Sequence, residues 1–99
     1  MAERTAWQQL RDERMAESGA AEAYDAARLA FELGKTVRAL REQQGWTQTR
    51  LAEAAGMTQP AVARFEAGGT MPTIPVLERL ASALEAELVV QLEPRTSAA

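Results

Sequence analysis

The chain has 99 residues, no cysteine, no histidine and a formal net charge of −3, with 46% apolar and 25% charged residues. That length suits one modest core with an appended arm rather than a large enzyme, and the composition argues against disorder along the whole chain. Without Cys or His there is no disulfide framework, no thiolate nucleophile and no neutral-pH proton shuttle, so stability rests on packing or on a partner chain.

No apolar run approaches the roughly eighteen residues of a membrane span, and the opening MAERTAWQQLRDERMAE lacks a signal-peptide apolar region, so the expectation is a cytoplasmic protein with no membrane contact. The charge is uneven. Residues 1–34 hold seven acids and four bases, residues 35–70 three acids and five bases, and residues 71–99 four acids and two bases. A segment of net +2 therefore lies between acidic flanks.

Residues 5–17 are helix-permissive, with Trp7 and Leu10 as large apolar anchors. From Ser18, which can cap, apolar residues recur at three- and four-residue steps through ESGAAEAYDAARLAFELGKTVRALREQQG, which predicts one long helix or two with a joint at Gly34. Gly45 suits the end of that helix. Thr47 is placed as the N-cap of a short helix, QTRLAEAA, ended by Gly56. Thr58 caps the next, in which Pro60 fits the first turn because the amides there have no intrahelical acceptor; Gly68 and Gly69 stop it. A last helix starts near Thr73 and puts Leu77, Leu80, Ala81 and Leu84 on one face. In ELVVQLEP the period changes to two, which predicts a strand carrying Leu88, Val89, Val90 and Leu92, pairing with another chain because nothing else here reads as a strand.

The expected organisation is thus a helical extension over 1–32, a helical domain over 33–86, a strand over 87–93 and a disordered tail over 94–99. Residues 47–84, TQTRLAEAAGMTQPAVARFEAGGTMPTIPVLERLASAL, resemble the helix-turn-helix of the Xre family, relatives of phage repressors and Cro. The resemblance implies an all-α fold: a lambda-repressor-like five-helix DNA-binding domain, here with a helical N-terminal extension and one C-terminal β-strand. More loosely, the lead-in from Tyr24 and the strand resemble antitoxins of the HigA kind, which neutralise RelE/HigB-like ribonuclease toxins and repress their own operons.

Gln48 resembles the family glutamine that bonds a phosphate and braces the first residue of the recognition helix, which is Gln59 here. Gln59 offers a donor and an acceptor to an adenine edge, and Arg64 one turn on can fork onto guanine or reach a phosphate. Pro60 and Ala61 offer apolar contact alone. Because Pro60 and Ala63 stand where the family often carries polar readers, DNA shape is expected to contribute more of the specificity. Arg38, Thr47, Arg50 and Thr58 are candidates for DNA backbone contacts, which set register without carrying sequence information. The family also pairs an arginine before the first helix's terminal glycine with the glutamate closing the recognition helix; here these are Arg41 and Glu66, a structural ion pair.

Blander readings stand beside these. Arg50 and Arg64 on spacing alone are ordinary solvated charges. Trp7, Leu10, Tyr24 and Phe31 form a stripe open to a toxin, to the domain itself or to a second copy. The strand is a homodimer edge or a toxin edge. The sequence points to a homodimeric repressor of double-stranded operator DNA acting as an antitoxin with a small basic toxin partner. A free-standing Xre-type repressor is the alternative, and an adaptor that lost DNA binding is a third. No enzyme activity, cofactor or metal is implied.

Overall fold

The computed structural model describes residues 6, 8–10 and 19–95, and every regular element among them is helical. Residues 6 and 8–10 are helical, followed by α1 (Ala20–Gln43), α2 (Gln48–Ala55), α3 (Gln59–Glu66) and α4 (Ile74–Ala83). Within residues 33–86 there are accordingly four helices, the first entering from residue 20. No described helix is long and apolar enough to cross a membrane.

Three of the helices begin as their sequence predicts. The hydroxyls of Thr47, Thr58 and Thr73 accept from the amides of Arg50, Ala61 and Val76, each satisfying one of the donors a helix start leaves open. For α1 the expected cap Ser18 lies outside the described residues; the N-cap is Gly19, in the left-handed region and without a side-chain bond. All four helices end in the same pair of backbone bonds, for example Trp46 N to Arg41 O at 3.1 Å and Gly45 N to Glu42 O at 2.9 Å closing α1. The residue that must turn left-handed is glycine at 45, 56 and 68, but Glu85, with φ 56°, after α4.

One sequence expectation is corrected, and one left open is decided. The C-terminal β-strand is absent: Leu88, Val89, Val90 and Leu92 lie in a stretch with no regular structure over residues 86–95. Period-two alternation marks a chain that could pair, but a strand exists only with a neighbour to bond, and the helical domain offers no edge. Of the two readings of the preceding segment, the single long helix holds, with no joint at Gly34. α1 runs unbroken through it, and Gly34 is buried where α1 crosses the end of α3; a Cβ there would stand 2.5 Å from Phe65 O and 2.8 Å from Glu66 O. The glycine is a contact, not a break.

The core gathers Val37 from α1, Leu51, Ala52 and Ala55 from α2, Val62 and Phe65 from α3, and Leu80 and Leu84 at α4. Leu51, Val62 and Leu80 are wholly enclosed. Helices of eight residues have little stability alone, so α2 and α3 hold their mutual angle through these contacts.

Candidate nucleic-acid interface

The α2–turn–α3 corner brings the start of α3 to the surface beside the start of α2. Gln59 Nε2 donates to Gln48 Oε1 at 2.9 Å, and Gln48 Nε2 donates in turn to Glu66 Oε1 at 3.2 Å. Glu66 is buried and receives a two-pronged Arg41 guanidinium, Nε to Oε2 at 2.7 Å and Nη2 to Oε1 at 2.9 Å. Arg41 Nη1 also donates to Trp46 O at 2.7 Å. The result is one continuous run of hydrogen bonds from the exposed tip of α3 to the interior. The Glu66 hydrogen bond holds the Arg41 guanidinium above its ordinary pKa, against the opposing effect of burial.

The other predicted residues fall around this run. Thr47 and Thr58 spend hydroxyl lone pairs on their caps, which leaves each O–H hydrogen available to an acceptor such as a phosphate oxygen. Pro60 is exposed and Ala61 half-buried on the first turn of α3. Arg64 is exposed and, among the described residues, its side chain makes no ion pair or hydrogen bond. Arg50 stacks on the Trp46 ring, 4.6 Å from its centroid, so Trp46 is both a lid on the core and a platform for a cation. Arg38 pairs with Glu42 at 2.9 Å one turn along α1, and that bond draws the Glu42 carboxyl below its usual range. Arg38 is thus the one cation of the set already held by a carboxylate.

The residues assigned to a protein partner do not converge on this corner. Trp7 lies outside the described residues. Leu10, Tyr24 and Phe31 are exposed, Tyr24 by 66%. Phe31 backs onto the turn after α3, where a Cβ at Gly68 would stand 2.9 Å from its Cα, and Lys35 lies over its ring at 5.7 Å. Leu88, Val89 and Val90 meet Leu29, Ile74 and Leu77 around an apolar groove of about 350 Å³, while Leu92 is fully exposed.

Sequence reasoning missed two fastenings. Arg79 of α4 donates through Nε to Ala55 O at 3.0 Å and through Nη2 to Gly56 O, closing the C-terminus of α2. Gln44 Nε2 donates to Leu84 O at 2.8 Å, tying the end of α1 to the end of α4. Both join segments at least 23 residues apart, and neither leaves a local pattern to read.

Comparison with known proteins identifies the fold and the family. A crystal structure of the restriction-modification controller protein C.AhdI from Aeromonas hydrophila superposes with a TM-score of 0.57 at 29% identity, covering 59% of this chain and 88% of that one. The HTH-type transcriptional regulator SutR of Escherichia coli (strain K12) is 34% identical over 70 residues, which are 71% of this chain and 39% of SutR, so the chain spans about two-fifths of that relative. The helix-turn-helix family HTH_3 matches residues 37–90, and the chain belongs to that family.

Proposed function

We propose that this chain is a transcriptional regulator that binds a specific duplex DNA sequence through α3 and acts as a repressor without a toxin partner. The observation that carries it is the placement of Gln59 at the exposed start of α3, oriented by Gln48, at the end of a helix that fits a major groove about 12 Å wide. Arg64 is exposed on the same helix, and the hydroxyls of Thr47 and Thr58 with the exposed Arg50 are suited to phosphate contacts. The similarity to SutR and to C.AhdI, a regulator and a controller by name, supports the free-standing reading over the antitoxin one. Two copies on a palindrome would set their α3 helices about 34–36 Å apart.

The test is binding to the DNA upstream of the gene and to a random duplex, across a salt series. Upstream DNA binds tighter, with affinity falling at a log–log slope of roughly −0.9 per phosphate contacted. Gln59→Ala loses the preference between the two duplexes, whereas Arg50→Ala weakens both equally. Equal wild-type affinity for both duplexes refutes the proposal.

The antitoxin reading keeps one supporting observation, the exposed Tyr24 and Phe31 on the arm of α1. It requires a stable complex with a small basic ribonuclease encoded beside this gene; co-expression without co-purification removes it.

A further inference from the structure

We propose that Glu66, buried and out of reach of DNA, is a positioning residue that sets which way the Gln59 amide faces and so makes it select adenine over guanine. The inference rests on the DNA-reading proposal above. A carboxylate only accepts hydrogen bonds, and both Glu66 oxygens accept from Arg41, at 2.7 and 2.9 Å. Gln48 must therefore turn its NH2 towards Glu66 and its carbonyl towards Gln59. Facing a carbonyl, Gln59 must donate through Nε2, as it does at 2.9 Å. The direction of every amide in the run follows from the charge at its buried end.

What is left outside is one N–H and the carbonyl oxygen of Gln59. Adenine presents an acceptor at N7 and a donor at N6, which that pair satisfies; guanine presents acceptors at both N7 and O6, and the second meets a carbonyl oxygen. A glutamine with its whole NH2 free could donate to both guanine atoms. Engaging one N–H on Gln48 removes that option.

The experiment selects sequences from a randomised duplex library with the full chain and three variants. Wild type enriches a position where adenine exceeds guanine, and Gln59→Ala identifies that position by abolishing the preference there. Gln48→Leu, which cuts the run at a half-buried site, lowers the adenine-to-guanine ratio at that position by about tenfold while other positions hold. E66Q supplies an N–H to the buried end, lets the amides reverse and moves the preference towards guanine.

An unchanged adenine-to-guanine ratio in Gln48→Leu overturns the inference, whether or not E66Q folds. A wild-type library with enriched positions, none dependent on Gln59, overturns it too. A library with no enrichment refutes the DNA-reading proposal itself, which is a separate result.

Discussion

Gly34 in the middle of α1 touches the backbone of Phe65 at the end of α3, and a side chain of even one carbon would fall 2.5 Å from its carbonyl oxygen. In an open helix Gly→Ala gains about 1 kcal/mol in propensity. Here overlap with backbone outweighs it, so Gly34→Ala is expected to destabilise by a net of about 1–3 kcal/mol. Thermal melting reads this as a drop of several degrees; a rise would mean that α1 slides along α3 at no cost.

Arg41 and Glu66 pair almost out of solvent, their side chains 11% and 3% exposed. Removing one partner strands the other charge, so Arg41→Ala should lose about 3–5 kcal/mol. Replacing both with apolar residues of similar volume, Arg41→Met with Glu66→Leu, should recover most of it. Urea denaturation of the singles and the double measures the difference, and a double as weak as the single would contradict the account.

Glu85 holds the left-handed position after α4 that glycine holds after the other three helices. A non-glycine residue there costs roughly 1–2 kcal/mol in backbone strain, part of which glycine returns in unfolded-chain entropy. Glu85→Gly should therefore stabilise by about 0.5–1 kcal/mol, a small upward shift in Tm, with DNA binding unaltered.

Ile74, Val89 and Val90 are each about half exposed or more beside the apolar groove, which suits a self-complementary contact in a two-fold dimer. For a dimer built on this groove, Ile74→Glu should shift sedimentation to the monomer and weaken binding to a palindrome far more than to one half-site. Unchanged sedimentation would place the dimer contact elsewhere.

The parts of this fold legible in the sequence are those written locally. Thr47, Thr58 and Thr73 mark starts, three glycines mark ends, and the core face of α4 follows from Leu80 and Leu84. The pairs Gln48–Gln59 and Arg41–Glu66 were reached through family resemblance, and the structure brings both into contact. Gly34 left two readings open because a glycine inside a helix reads alike whether it bends the chain or admits a neighbour, and the neighbour, Phe65, is remote in sequence. Leu88 to Leu92 misled because alternation reports two faces and says nothing of a bonding partner. Arg79 on the α2 carbonyls and Arg50 on Trp46 depend on angles between helices, which no spacing rule contains.

The unbroken course of α1 has a mechanical meaning. From Ala20 to Gln43 there is no hinge, and the same rod is held against α3 and the turn after it by Arg41 on Glu66, Gly34 on Phe65 and Phe31 on Gly68. A force on Tyr24, ten residues and about 15 Å before Gly34, acts as on the long end of a lever whose fulcrum lies under the recognition helix. A partner that held the arm at Tyr24 would load the α1–α3 contact directly, because no joint lies between them.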